Sequence, residues 1–113
     1  AVGGLARYEN DHYFRRSEHY PGNPWIICTL WLAKAKLASS PNRANIEMAL
    51  EALRWVHRHG ACTGVLSEQL HPDTGEPLSV SPLTWSHAEF VDTVLETIKA
   101  QQALGGMPTV RAQ

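Results

Sequence analysis

The most constraining feature of this chain is a nine-residue segment, Trp25 to Ala33, in which Thr29 is the one polar residue. At 3.6 residues per turn, apolar side chains surround a helix of this sequence, and such a helix is buried on several sides. The segment is too short to cross a bilayer, which takes about 20 apolar residues. The sequence therefore predicts a core helix that needs cover from several neighbours.

Signals at the ends of this segment and further along the chain predict two successive helices. Asn23 is a suitable N-cap for the first helix, and Pro24 suits its first position. Ser40 and Pro41 predict a second start of the same kind, and Gly60 predicts the end of the second helix. The second helix has apolar residues at three- and four-residue steps, namely Ile46, Ala49, Leu50, Leu53 and Val56.

A third helix is predicted to start near residues 84–86. Ser86 and Glu89 have the spacing of a capping box. Gly105-Gly106, followed by Pro108, predict its end. Its predicted buried stripe consists of Phe90, Val91, Val94, Leu95 and Ile98.

Two long segments, 1–23 and 61–83, have no sustained period. Irregular segments of this length are usually functional or disordered, and the aromatic residues of the first favour function. Asp73-Thr74-Gly75 predicts a turn inside the second. The expected fold class is all-α, with about three main helices and two long loops that carry a site on one rim.

Composition excludes several classes of partner and cofactor. The formal net charge of -1 shows no basic footprint, so no nucleic-acid partner is expected, and no membrane partner is expected either. Cys28 is predicted to be a small buried hydrophobe and Cys62 a loop residue, with a disulfide between them left open. The spacing of the histidines fits no strong zinc pattern. We expect no metal and no cofactor.

The loops contain a mixture of aromatic rings and hydrogen-bonding tips that suits carbohydrate binding. Glu68 lies in a short apolar segment, where a carboxylate could act as a base, although a solvated loop acid has the same pattern. His87 could line the pocket or bond to backbone. Trp31 and Trp55 are predicted to be core residues. The candidate loop residues are Arg7, Asp11, Tyr13, Trp25, Glu68, Gln69, Trp85 and His87.

Three blocks of sequence resemble the glucoamylase family, glycoside hydrolase family 15. The first contains Arg7-Tyr8, Asp11, Tyr13 and the run Gly22-Asn23-Pro24-Trp25-Ile26-Ile27-Cys28-Thr29-Leu30. The second is Leu66-Ser67-Glu68-Gln69, and the third is Ser81-Pro82-Leu83-Thr84-Trp85-Ser86-His87-Ala88. The blocks occur in the family's order and together cover most of the chain from Arg7 to about Phe90.

The resemblance implies an inverting, exo-acting α-glucosidase within an (α/α)6 toroid, acting on starch or malto-oligosaccharides. In it, Glu68 takes the role of the general base, which activates a water opposite the acid. Arg7 and Asp11 would bind hydroxyls of the terminal glucose. Trp25 and Trp85 would line the pocket, Gln69 would bind substrate, and Tyr13 would bind substrate with a hydrogen bond near the base.

The general acid of the family lies in an upstream tryptophan- and glutamate-rich block that this chain lacks. We therefore expect residues 1–113 to be the C-terminal portion of one catalytic domain, holding half a site and inactive alone. Exposed apolar patches would be covered by the remainder of the domain or by self-association. The alternatives are a non-catalytic glucoamylase-like binding or regulatory module and an unrelated helical interaction protein.

Overall fold

Three helices dominate the computed structural model of the chain, which describes residues 1–105. Helix α1 spans Ile26–Ser39, α2 spans Arg43–His59 and α3 spans Thr84–Ala103. Each helix packs against the other two. The predicted all-α class, with three main helices and two long loops, is confirmed. The end signals predicted at Gly106 and Pro108 lie outside the described residues.

Helix α1 is central to the core but is covered on only part of its circumference. Ile26 and Leu30 are fully buried, and they belong to one apolar cluster with Trp55, Val56, Leu66 and Leu70. A second cluster joins Ala33 and Leu37 of α1 to Ile46, Ala49 and Ala100. Trp31 and Leu32 each remain 42% exposed. None of the helices in residues 1–105 has both the length and the apolar character needed to span a membrane.

The starts of α1 and α2 differ from the prediction. Trp25 precedes α1 with an extended backbone and no side-chain cap, so the predicted capping role of Asn23 is wrong. At α2 the predicted cap at Ser40 is also wrong, because the Asn45 N–H donates to the Asn42 side chain at 2.8 Å. Gly60 follows the last residue of α2, as predicted.

The second loop forms a small hairpin that the sequence did not indicate. Strand β1 (Gln69–Leu70) pairs antiparallel with β2 (Pro77–Leu78), with Gln69 opposite Leu78. The predicted turn between them is confirmed, and Gly75 adopts a φ of 75° there. Trp25 bridges Gln69 on one side and Leu5 on the other. We call the backbone of Leu5, Trp25, β1 and β2 the strand platform.

Helix α3 turns a largely polar face toward the rest of the chain. Ser86, Thr93 and Thr97 are buried. The Thr93 and Thr97 hydroxyls each donate to a backbone carbonyl one turn earlier at 2.7 Å, so both of these buried hydroxyls have a partner. The predicted capping box is wrong, since Ser86 lies inside the helix and donates to Ser67 O at 2.8 Å.

The opposite face of α3 carries the apolar stripe that was predicted to be buried. Val91, Leu95 and Ile98 are exposed, so the prediction is wrong for these three residues. Phe90 is partly buried against the first apolar cluster. The periodicity identified an apolar face correctly, but in this chain that face has no cover among residues 1–105.

The two cysteines have the environments that were predicted. Cys28 is buried and Cys62 is exposed, and both are free thiols. Burial raises the pKa of the Cys28 thiol, because a thiolate loses hydration in an apolar surrounding.

Candidate active site

An open cavity of about 560 Å3 lies between the first loop, α1 and the start of α3. Arg7, Trp25, Glu68 and Trp85 line it, four of the seven residues predicted to form the site. The other lining residues are mostly apolar: Leu5, Ala6, Ile27, Cys28, Trp31, Leu32 and Ala35. The cavity thus combines an apolar wall with a guanidinium and a carboxylate, a composition common in ligand pockets.

Glu68 is held rigidly because it immediately precedes β1 on the strand platform. Its N–H donates to Val80 O at 2.9 Å, and its carbonyl accepts the Ile26 N–H at 3.2 Å. The side-chain Oε1 accepts two hydrogen bonds, from Ser79 Oγ at 2.8 Å and from Gln69 Nε2 at 3.0 Å. Within residues 1–105, no group donates to Oε2. One carboxylate oxygen therefore has two hydrogen-bond donors among the described residues, and the other has none.

Ser79 contacts Glu68 from across the hairpin and was missed by the sequence analysis. Its backbone has a φ of 64°, in the left-handed region that residues other than glycine seldom adopt. This conformation follows directly after β2 and brings Oγ to Glu68. Nothing in an eleven-residue separation predicts this contact, since it depends on the pairing of β1 with β2.

Gln69 does not reach the cavity. Its side chain is fully buried, and its amide joins Glu68 to Asn23. Gln69 Nε2 donates to Glu68, while Gln69 Oε1 accepts from Asn23 Nδ2 at 3.0 Å. Asn23 thus supports the site through Gln69, a role that no local pattern in the sequence indicated.

Arg7 is fixed by an ion pair below it and by aromatic rings around it. Its Nε and Nη2 donate to the two carboxylate oxygens of Asp11 at 2.7 and 2.8 Å. Asp11 is 1% exposed and also accepts the Tyr13 N–H at 3.1 Å. The Arg7 Cζ atom lies 4.4 Å from the Trp25 ring centroid and 5.1 Å from that of Tyr13, distances typical of cation–π contacts.

This arrangement lowers the pKa of Asp11 and raises the pKa of Arg7, so both side chains stay charged. The hydrogen bond from Arg7 holds the pKa of Asp11 below its ordinary value, although burial opposes the shift. The hydrogen bond to Asp11 raises the pKa of Arg7. The cavity therefore presents a permanently charged guanidinium whose orientation is set from behind.

The aromatic residues divide between cavity and core. Trp31 and Trp85 meet edge to face with ring centroids 5.6 Å apart, and both line the cavity. The core prediction is wrong for Trp31 but confirmed for Trp55, which is buried and donates from Nε1 to Val2 O at 2.8 Å. Tyr13 is not among the residues that line the cavity, but its ring centroid lies 6.2 Å from that of Trp25.

His87 bonds to backbone, one of the two alternatives that the sequence left open. Its Nε2 accepts the Leu66 N–H at 3.0 Å, so a neutral ring carries its proton on Nδ1. Helix α3 is thereby tied to the segment that precedes Glu68. In the part of the chain described by the structure, no three metal-ligating side chains come together.

Comparison with known proteins assigns this chain to a family. The family model described as glycosyl hydrolases family 15 matches residues 36–95, just over half of the chain. The chain belongs to glycosyl hydrolase family 15. The matched range contains Glu68, Gln69 and Trp85. The predicted family is therefore confirmed, and the three helices are consistent with part of an (α/α)6 toroid.

Two relatives extend the family-15 assignment. The chain is 37% identical over 107 residues to an uncharacterized glycosyl hydrolase of Methanocaldococcus jannaschii, a match that covers 87% of this chain and 16% of the relative. It is 42% identical over 59 residues to glucoamylase-1 of Arthroderma benhamiae, which covers 48% and 10% respectively. The chain thus spans a small part of the length of both relatives. No solved structure matches it.

Proposed function

We propose that residues 1–113 are the C-terminal portion of one glucoamylase-like catalytic domain. In the complete protein, this portion contributes the general base of an inverting, exo-acting α-glucosidase that hydrolyses α-glucosidic bonds of starch and malto-oligosaccharides. Membership of family 15 and the similarity to a protein named glucoamylase-1 support the reaction class. The observation that carries the proposal is the position and hydrogen bonding of Glu68.

The hydrogen bonding of Glu68 supports a role as the general base of an inverting glycosidase. Such a base must stay at a fixed distance from the sugar, accept a proton from water and leave room for that water. Ser79 and Gln69 fix Oε1, and Oε2 accepts nothing from residues 1–105. In our proposal Oε2 binds the attacking water in the cavity.

The other predicted residues form the sugar-binding surface and its support. Arg7 donates hydrogen bonds to hydroxyls of the terminal glucose, because its guanidinium lines the cavity beside Glu68. Trp25 and Trp85 form the apolar wall. Asp11 accepts hydrogen bonds from Arg7, and the Tyr13 ring packs against the Arg7 guanidinium. We therefore propose that both residues act by holding Arg7 in its orientation toward the sugar.

In this proposal, a part of the full-length protein outside residues 1–113 supplies the general acid. The two carboxyls of an inverting enzyme lie roughly 6.5–9.5 Å apart on opposite sides of the bond that is cleaved. Loss of a general acid lowers the rate by about 10²–10⁴-fold. The isolated chain should therefore be close to inactive.

The remainder of the catalytic domain is the partner that we propose for the exposed apolar faces. These faces include Val91, Leu95 and Ile98 on α3. The chain spans only 16% and 10% of the relatives' lengths, so most of a family member lies outside it. In the absence of that remainder, the same faces would drive self-association.

Proton NMR of maltotriose incubated with the full-length protein tests the proposal. We expect β-glucose to form first, since inversion at an α-linked glucoside gives the β-anomer. Replacing Glu68 with Gln removes the base and should lower kcat by about 10²–10⁴-fold. The matched control is Glu76→Gln, an exposed carboxyl on the same hairpin, which should leave kcat unchanged.

Three results would contradict the proposal. Initial release of α-glucose would exclude inversion, and a Glu68→Gln variant with normal kcat would exclude the base assignment. An inactive full-length protein that still binds malto-oligosaccharides would favour the non-catalytic module instead.

A further inference from the structure

Asn23 has a buried side chain below the site whose amide is fully engaged by its surroundings. It is 1% exposed. Its Nδ2 donates to Phe14 O at 2.8 Å and to Gln69 Oε1 at 3.0 Å, and its Oδ1 accepts the Arg16 N–H at 3.2 Å. Since α1 begins at Ile26 without a side-chain cap, helix capping does not account for this residue.

Two backbone groups fix which way the Asn23 amide points. The oxygen and nitrogen of an amide side chain can be exchanged by a half-turn, so their places follow from the partners. The Phe14 carbonyl can only accept, and the Arg16 N–H can only donate. Asn23 must therefore place its nitrogen toward Phe14, and the second hydrogen of that nitrogen points to Gln69.

The orientation of the Asn23 amide constrains the orientation of the Gln69 amide, which in turn hydrogen-bonds to Glu68. Because Asn23 offers a hydrogen, Gln69 must present its oxygen to it, and the Gln69 nitrogen then faces Glu68 Oε1 at 3.0 Å. The opposite orientation of Gln69 would oppose two donors at Asn23 and two oxygens at Glu68. Gln69 is fully buried, so no solvent relieves such a conflict.

We propose that Asn23 is a positioning residue for the general base. It sets the orientation of the Gln69 amide, which holds Oε1 of Glu68 and leaves Oε2 to the attacking water. This inference rests on the proposed role of Glu68 as the base. It connects the first loop to the catalytic carboxylate through two side-chain amides separated by 46 positions in the chain.

Asn23 also holds the first loop in place, so the test must separate the two roles. Phe14, whose carbonyl it engages, has a left-handed φ of 55°. Loosening this loop would disturb Arg7 and weaken sugar binding, which raises KM. Misplacing the base instead lowers kcat and moves the acidic limb of the pH–rate profile, because the ionised carboxylate loses a donor.

A double-mutant cycle in the full-length protein distinguishes the roles. The variants are Asn23→Ala, Gln69→Met and the two combined, assayed on maltotriose across pH. We expect Asn23→Ala to lower kcat by about tenfold with KM changed less than about twofold, and to move the acidic limb to higher pH. In the Gln69→Met background, the same change should alter kcat by less than about twofold, since the relay is already broken.

Asn42→Ala is the matched control, because Asn42 also bonds to backbone through its side chain but caps α2 away from the site. It should leave kcat, KM and the pH profile unchanged. An equal loss of kcat from Asn23→Ala in both backgrounds would overturn the proposal. So would a rise in KM with kcat unchanged.

A readout that does not depend on activity separates this inference from the proposed function. If the wild-type full-length protein hydrolyses no glucoside, the proposed function fails by itself. A crystal structure of the Asn23→Ala variant then decides the positioning role. We expect Gln69 to rotate away from Glu68, and an Nε2–Oε1 distance kept below about 3.2 Å would overturn the inference.

Discussion

The strand platform with its loops buries polar side chains, whereas the outward face of α3 exposes apolar ones. Around the platform, polar side chains such as Asp11, Asn23 and Gln69 are almost completely buried. On the outward face of α3, defined by Val91, Leu95 and Ile98, apolar side chains are exposed. Residues 79–83 join the two regions along the chain.

The difference shows which part of the site the chain completes by itself. Asp11, Asn23 and Gln69 can be buried because each has a hydrogen-bond partner within residues 1–105, so their burial leaves no uncompensated charge or amide. The Trp25 Nε1 atom of the platform is buried without a hydrogen-bond partner among the described residues. Exposure of the apolar stripe of α3 to water is unfavourable, and a stripe at this spacing is typical of a face that packs against other protein. The hydrogen bonds that hold Glu68 thus come from within the described chain, whereas the outward face of α3 is one side of an incomplete core.

The largest effect is expected from Leu95→Ala, compared between the isolated chain and the full-length protein. If other parts of the domain cover α3, this truncation should lower the free energy of unfolding of the full-length protein by about 2–5 kcal/mol. In the isolated chain, diluted until it is monomeric, Leu95 is 51% exposed and the loss should be below about 0.5 kcal/mol. Urea titration of both proteins measures the difference.

Leu30→Ala is the control for this comparison, because Leu30 is fully buried within the chain itself. It should destabilise both proteins by a similar amount. If Leu95→Ala were equally mild in both, the outer face would have no cover from the remainder of the domain.

A smaller effect, dependent on pH, is expected from Asp11→Asn at the platform end. The pKa of folded Asp11 is held below its unfolded value by the Arg7 hydrogen bond. The carboxylate therefore contributes stability above the unfolded pKa, about 3.9, and this contribution is lost as the pH falls through the lower folded value. At neutral pH the variant should lose on the order of 1–2 kcal/mol.

Unfolding curves of the wild type and Asp11→Asn between neutral pH and strongly acidic pH test this sign. The gap between the two proteins should narrow as the pH drops below about 4. Glu9→Gln, an exposed carboxyl in the same loop, should cost less than about 0.5 kcal/mol at neutral pH. A gap that widened in acid would contradict the ion pair as the source of the stability.

The smallest effects are expected at Ser79, where two substitutions separate function from strain. Ser79→Ala and Ser79→Gly both remove the hydroxyl that donates to Glu68, so each should lower kcat/KM by about tenfold or less. Glycine adopts a φ of 64° without steric cost, whereas alanine adopts it with strain. The glycine variant should therefore be more stable than the alanine variant by about 1 kcal/mol.

Assays on maltotriose and thermal unfolding of the full-length variants provide the two readouts. Equal stability of the two variants would mean that the left-handed conformation carries no cost. Activity that follows stability, rather than the presence of the hydroxyl, would contradict a role for Ser79 in holding Glu68.

Some features of the site were predictable because their signals are local or depend on motifs that lie close together in sequence. Arg7, Trp25, Glu68 and Trp85 were identified from such motifs, and all four line one cavity. Ser79 and Asn23 were not assigned to the site. Their contacts with Glu68 and Gln69 depend on strand pairing and on a loop folding back, which no short window of sequence records.

The sequence by itself determined the three helices, the turn at Asp73-Thr74-Gly75 and the family, because helical periodicity, turn residues and compact motifs act over a few positions. It also determined that α3 has an apolar face. Only the tertiary structure decided that this face points outward and that the threonines point inward, because burial depends on which neighbours are present. The same reason explains Asn23: its amide suits a helix cap locally, but in the folded chain it instead forms hydrogen bonds with Phe14, Arg16 and Gln69.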